Sequence, residues 1–360
     1  MRWLRAMRQQ KDSKSIVVVA RQAGSANAFV PLLKQFREGN FRVHTFAFVH
    51  AYGIFTKNKI DAALIEEFDT SLFSDISEPS ILLTGTSECA DEDHRFWQWA
   101  KSRGIPSLAF VDSWVSYWQR FTPSGVAQKR FSLMPNLIGV IDRFMYDRLV
   151  DNGCDEKLLI ITGNPAFDCL RQYVPREQED IVGTYGEDYV LFIGEPFNNK
   201  SLGENEKEVL GYTEAEVLRM TANAMQMIEG EKLKLVVRPH PRGGCTGEIK
   251  SIIDSHSNIV VDAGRFNSRD LVACGKAVVG MTSMLLYEAS LMGVPAISIR
   301  PNTKLISDVI DCCSNIPVVT SSRIDDVLGG MRKILSTKPE PGNITNSTLC
   351  DAIRSRVLSH

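Results

Sequence analysis

The sequence predicts an α/β protein built as two doubly wound, Rossmann-like domains facing a central cleft, and three observations predict it. Short β-branched apolar runs alternate with amphipathic stretches along the whole chain, the pattern of βα units on parallel sheets. The length of 360 residues exceeds what one hydrophobic core usually serves, so two domains of about 150–200 residues are expected. Midway, "YVPREQEDIVGTYGED" (173–188) is polar, holds Pro and Gly and has no clear period, as a linker would.

In the first half the strand candidates are "SIVVVA" (15–20), "FRVHTFAFV" (41–49), "SILLTG" (80–85), "PSLAFVD" (106–112), "LIGVID" (137–142) and "KLLIITG" (157–163). Between them, "DEDHRFWQWAKSRG" (91–104) and "DRFMYDRLVDNG" (142–153) read as helices that end in glycine, the usual residue just past a helix C-terminus. The second series runs through "YVLFIGEPF" (189–197), the long helix "TEAEVLRMTANAMQMIEG" (213–230), "KLKLVVRPH" (232–240), "NIVVDA" (258–263), "KAVVGM" (276–281) and "PAISIRP" (295–301). The expected division is a basic tail over 1–14, an N-terminal domain over 15–175, a C-terminal domain over 189–335 and a tail or helix over 336–360.

Composition narrows the function. With 44% hydrophobic and 23% charged residues and a formal net charge of −2, the chain is an ordinary globular protein and not a nucleic-acid binder. No apolar run approaches a membrane span. The start, "MRWLRAMRQQKDSK", is basic but lacks the apolar core of a signal peptide. It reads either as a disordered tail or as a short helix making weak contact with an anionic membrane surface. Eight cysteines without a CxxC pair read as reduced thiols of a cytoplasmic protein and give no metal site. The absence of a GxGxxG run argues against a dinucleotide cofactor.

In open α/β sheets, ligands sit beyond the carboxyl ends of the strands, so the loops there are the candidate site. In "LVVRPHPRGG" (235–244), Pro239 and Pro241 cannot donate to a ladder and hold Arg238, His240 and Arg242 in a stiff turn. Their guanidinium and imidazole groups suit phosphate oxygens. In "GMTSMLLYEASLMG" (280–293), the turn from Gly280 through Thr282 and Ser283 opens a helix whose first amides and dipole suit an anion. Glu288 lies among Leu285, Ala289, Leu291 and Met292 and must find donors, for which ribose hydroxyls would serve.

The first half offers Thr86 and Ser87 after one strand, then the acidic residues Glu88, Asp91, Glu92 and Asp93 opening a helix, where negative charge is favoured. Asp112 ends the next strand and reads either as a helix N-cap or as the base that deprotonates an acceptor hydroxyl. Trp114 beside it offers a ring face for a sugar, whereas Trp97 and Trp99 read as core. Gly24 and Ser25 enter the first helix.

"VVRPHPR" followed about forty residues later by "GMTSMLLYEASLMGVPAISIRP" resembles the C-terminal half of GT-B-fold proteins, the clan of nucleotide-sugar glycosyltransferases and UDP-N-acetylglucosamine 2-epimerases. The resemblance implies that Thr282 and Ser283 meet a diphosphate, Glu288 the ribose, and Arg238 and His240 the phosphates or sugar. It implies that Gly24 and Ser25 face an acceptor. The Gly-Met-Thr-Ser turn departs from the Asp-Ser-Gly-Gly turn usual in the epimerases. The expectation is therefore a metal-independent glycosyltransferase of surface polysaccharide biosynthesis, cytoplasmic or peripheral to the inner membrane face. It would use no cofactor, a UDP-, CMP- or GDP-linked sugar as donor and a glycan acceptor, with Asp112 and His240 in catalysis. The alternatives are an epimerase or hydrolase on the same fold and a non-catalytic binding module.

Overall fold

The computed structural model describes residues 14–358 apart from 40, 77–78, 88–90, 126–129, 196–205, 230–232, 241–243, 246, 304–306, 339 and 341–347. Residues 1–13 of the basic tail and Arg242 lie outside the described residues. The chain divides into two compact units, one running to Asp168 and regaining the chain from Ile344, the other spanning Cys169–Asn343.

In the first unit, β1 (Ser15–Ala20) leads into helix α1 (Ala23–Glu38), β2 (Arg42–Ala47) into α2 (Val49–Lys57), and a two-residue β3 (Ala63–Leu64) follows. Then come β4 (Ile81–Thr84), α3 (Asp91–Ser102), β5 (Ser107–Phe110), β6 (Leu137–Val140), α4 (Arg143–Asp151), β7 (Leu159–Ile161) and α5 (Pro165–Leu170). The strand order is β3-β2-β1-β4-β5-β6-β7, with every described pairing parallel. β1 is buried on both faces, which is why its sequence is a continuous apolar run rather than an alternating one. Gly104 and Gly153 follow their helices at positive φ, +68° and +100°, the left-handed conformation that glycine adopts without cost.

The second unit begins with α6 (Gln178–Tyr185), β8 (Tyr189–Ile193), α7 (Glu206–Leu210), α8 (Glu214–Glu229), β9 (Lys234–Arg238), α9 (Gly247–Asp254) and β10 (Ile259–Val261). It continues with α10 (Ser268–Cys274), β11 (Ala277–Gly280), α11 (Met284–Leu291), β12 (Ala296–Ile299), α12 (Asp308–Asp311), β13 (Val318–Val319) and α13 (Ile324–Ser336). Its strands run β10-β9-β8-β11-β12-β13, again parallel. Side chains of β8, β9, β11 and β12 share one core with Val217, Leu218 and Met225 of α8 and Val327 and Met331 of α13. The last helix, α14 (Leu349–Leu358), belongs to the first unit. It packs on α1 and buries Leu349 and Ile353 completely.

The stretch expected to be a linker holds α6, whose Ile181 and Tyr185 are buried. Its polar face hid this pattern, because two apolar residues four apart are enough to seat two helical turns. The short edge strands β3 and β13 also lack a sequence signal.

Each sheet reverses its strand order once, between β1 and β4 in the first and between β8 and β11 in the second. Connections leave these neighbouring strands toward opposite faces, which opens a crevice beyond their carboxyl ends. The loops singled out from the sequence lie beyond the carboxyl ends of β1, β4 and β5 in the first sheet and of β9 and β11 in the second.

Two adjacent glycines of α13 separate helix propensity from packing. A Cβ on Gly329 meets nothing within 4 Å, whereas one on Gly330 would lie 2.6 Å from Ile297 Cδ1 and 3.0 Å from Val319 Cγ2. Gly329→Ala should raise the urea midpoint by the equivalent of about 0.5–1 kcal/mol. Gly330→Ala should lower it, because overpacking a filled core costs about 1–3 kcal/mol, more than the propensity gain.

Candidate functional site

At the second unit's switch point, the turn after β11 points its amides at a carboxylate of the protein itself. Glu195, two residues past β8, accepts on Oε1 from the backbone N–H of Met281 (3.0 Å), Thr282 (2.6 Å) and Ser283 (2.9 Å), and on Oε2 from the Thr282 hydroxyl. Ser283 then caps α11 by accepting from the Leu285 amide. Glu195 is only 6% exposed. Burial pushes its proton affinity up, and the four donors oppose that. The turn thus cradles an anion, but that anion is the protein's own carboxylate, and the amides expected to be free for a phosphate are satisfied from within. Gly280 is buried at the end of β11, and a Cβ there would make only ordinary contact with Leu286.

The neighbouring strand ends carry the other expected groups. Arg238 pairs with Asp262, a fully buried carboxylate just past β10 that also accepts from the Tyr185 hydroxyl at 3.0 Å. His240 follows two residues on. A Cβ on Gly194 would lie 3.1 Å from the His240 amide nitrogen and 2.6 Å from Glu214 Oε1, so the approach of this turn requires glycine. Glu288 receives a two-pronged hydrogen bond from Arg269 of α10, Nε to Oε2 at 2.8 Å and a terminal nitrogen to Oε1 at 2.7 Å. Its donors are therefore supplied by the protein. The strands β10-β9-β8-β11 bring Arg238, His240, Glu195, Thr282 and Ser283 to one end of one sheet.

In the first unit, a polar network joins the loops after β1, β4 and β5. Gly24 lies in the first turn of α1, where a Cβ would fall 1.6 Å from Asp112 Oδ2. Ser25 is buried, donates to the Gln22 carbonyl, and sits where a Cβ on Gly85 would be. Asp112 pairs through Oδ1 with Arg120 at 3.1 Å. The same guanidinium nitrogen donates to the carbonyl and hydroxyl oxygens of Thr86, both at 3.0 Å. Thr86 in turn donates to the Phe110 carbonyl, and His94 Nε2 donates to the Arg120 carbonyl.

Asp93 completes this network, bonded to the hydroxyl and amide of buried Ser87 with Arg21 and Arg120 nearby. Its Oδ2 has no hydrogen-bond partner among the described residues. Burial raises its pKa to about 7 against the pull of those groups. Of the acidic run read as a helix cap, Asp91 is exposed but Asp93 faces inward.

The aromatic residues are core. Trp114, expected to offer a ring to a sugar, is 1% exposed, bonds Asp142 through its indole N–H and stacks on Phe167. A β5–β6 connection that folds inward at this point buries the ring face. Trp97 donates to Thr84 and Trp99 stacks on Phe73, as core residues would. Asp93 was singled out only as part of a helix-capping acidic run, and Glu195, Arg269, Asp262 and Arg120 were not singled out from the sequence. Of these four, only Glu195 left a signal, a carboxylate after an apolar strand and before Pro196. Among the described residues no cluster is placed to hold a metal ion, and no helix is long and apolar enough to cross a membrane.

No family model and no curated protein matches the chain. Solved structures do. A UDP-GlcNAc 2-epimerase from Methanocaldococcus jannaschii superposes with a TM-score of 0.69 at 13% identity, over 96% of this chain and 99% of that one. The Neisseria meningitidis UDP-GlcNAc 2-epimerase bound to UDP-GlcNAc gives 0.68 at 11%, over 96% and 100%. The glycotransferase of kitacinnamycin gives 0.56 at 12%, over 96% and 94%. At these identities the likeness shows the fold, which is the two-domain α/β fold of GT-B-like proteins.

Two buried carboxylates have measurable consequences. Because Asp93 holds its proton more tightly when folded, it favours folding most below pH 4, and that contribution is lost as pH rises toward its folded value of about 7. The stability of Asp93→Asn relative to wild type should therefore grow by about 2–3 kcal/mol between pH 5 and pH 8, measured by urea unfolding. Glu195→Ala strands three amides and a hydroxyl, and should cost roughly 1–3 kcal/mol. Glu195→Gln, which keeps an acceptor for the amides, should lose less.

Proposed function

We propose that the chain is a glycosyltransferase that takes a sugar from a nucleoside diphosphate held by the second unit and passes it to a hydroxyl acceptor bound by the first. The observation that carries this reading is the turn after β11. It organises a hydroxyl and a helix N-terminus at the switch point of a GT-B-like fold shared end to end with proteins solved holding UDP-GlcNAc and UDP. Since Glu195 occupies the amides of residues 281–283, the diphosphate is met instead by the Ser283 hydroxyl, Arg238 and His240. Glu288, oriented by Arg269, keeps lone pairs for the ribose hydroxyls.

In the transfer, the acceptor hydroxyl gives its proton to Asp112 as its oxygen bonds to the anomeric carbon. The bond from that carbon to the diphosphate oxygen breaks, and its electron pair leaves with the diphosphate. The Ser283 hydroxyl, Arg238 and His240 donate hydrogen bonds to the oxygens on which that charge develops. The second reading is epimerisation or hydrolysis of the donor alone, and the likeness to solved UDP-GlcNAc 2-epimerases supports its epimerisation form.

Calorimetry with UDP, GDP and CDP tests the donor site. One of them should bind with a Kd of about 1 μM to 1 mM, the usual range for enzyme substrates, and Ser283→Ala and His240→Ala should each weaken it about tenfold. Asp112→Asn should leave that affinity in place and lower sugar transfer by about 100-fold or more. No binding of any of the three sinks the proposal. Conversion of UDP-GlcNAc to its C2 epimer without acceptor would replace transfer by the second reading.

A further inference from the structure

Arg120 sits in the long connection from β5 to β6, in a single 3₁₀ turn, Gln119–Phe121. Its guanidinium grips two loops. Nε donates to the Val115 carbonyl at 3.1 Å, and one terminal nitrogen donates to Thr86 O, Thr86 Oγ1 and Asp112 Oδ1. The far side of the Asp112 carboxylate is closed by the Gly24 turn, which leaves no room for a Cβ. Asp112 is therefore held between a cation and a helix N-terminus.

Loop closure alone does not explain such a pair. The Arg120 and Asp112 side chains are 7% and 10% exposed, and desolvating two charges costs several kcal/mol that packed apolar side chains would avoid. The connection also carries backbone strain. Of the four non-glycine residues with positive φ among those described, two, Ser116 and Phe131, lie in it, and Ser116 directly follows the carbonyl that Arg120 holds. Buried charge and strain retained together mark a geometry kept for use.

We propose that Arg120 is a positioning residue for Asp112, fixing the carboxylate in the rotamer in which it accepts the acceptor proton. The proposal rests on the reading of Asp112 as the base. Arg120 acts only through Asp112 and touches no substrate.

Crystal structures test the positioning directly. In Arg120→Met the Asp112 carboxylate should leave the Gly24 turn or occupy more than one rotamer, and in Arg120→Lys it should keep its place. Gly24→Ala should displace it from the opposite side with Arg120 intact. An unmoved Asp112 in Arg120→Met overturns the proposal whether or not the enzyme turns over.

Kinetics with UDP-GlcNAc as the probe donor tests the consequence. Arg120→Met should lower kcat about 100-fold with KM changed less than about threefold, and Arg120→Lys should recover about tenfold. Arg120→Met in the Asp112→Asn background should cost nothing further, because two residues acting as a unit are not additive. Losses that multiply, or that appear in KM alone, make Arg120 structural only and overturn the proposal. UDP binding, measured in parallel, should be unchanged in every Arg120 variant. Its absence from wild type would remove the functional reading above while the crystal structures still decide the positioning.

Discussion

A carboxylate taken out of water must find donors, and in both units that need ties together the loops of a switch point. Glu195 comes from the end of β8 and is bonded by the turn after β11. Asp112 comes from the end of β5, is reached through Arg120 by the loop after β4, and rests against the helix after β1. Strand pairing fixes the sheets only up to the last ladder bond. Beyond it, the loops diverge to opposite faces, and these carboxylates are what hold them in register. The glycines follow from the same constraint, since Gly24, Gly85 and Gly194 stand where another loop's side chain or backbone already is.

This arrangement sets the electrostatics of the proposed donor site. A helix N-terminus offers the equivalent of about half a positive charge, and at α11 that charge is already turned toward Glu195. Arg238 is neutralised by Asp262 and Arg269 by Glu288. A diphosphate therefore gains from these groups as oriented hydrogen-bond donors more than as net charge. Ser283 and His240 consequently count for more in the binding of a dianion than the number of nearby arginines suggests.

The fold was legible in the sequence because its signal is local. The β-branched runs of β1, β8, β9 and β11 are continuous since both faces of a parallel strand are buried, and the glycines after α3 and α4 mark their ends. The loops beyond the strand ends were legible for the same reason, since Pro239, Pro241 and the Gly-Met-Thr-Ser turn interrupt these runs. What a loop binds was not legible. Glu195 meets the turn amides 86 to 88 residues away, Arg120 meets Thr86 across 34, and Arg269 meets Glu288 across 19. No period or spacing connects such partners.

Trp114 shows the same limit from the other side. A tryptophan beside a carboxylate at a strand end has the composition of a sugar platform, and only its neighbours decide whether the ring is presented or packed. Here the indole N–H needs an acceptor once buried, Asp142 at the start of α4 supplies it, and Phe167 covers the face. Asp142 also caps α4 by accepting from the Met145 amide at 2.8 Å, so one carboxylate anchors both the helix and the β5–β6 connection that carries Arg120. The ring expected to hold a ligand instead braces the loop that holds Asp112. Its bearing on the site is therefore through the geometry of the carboxylate and not through contact with a sugar.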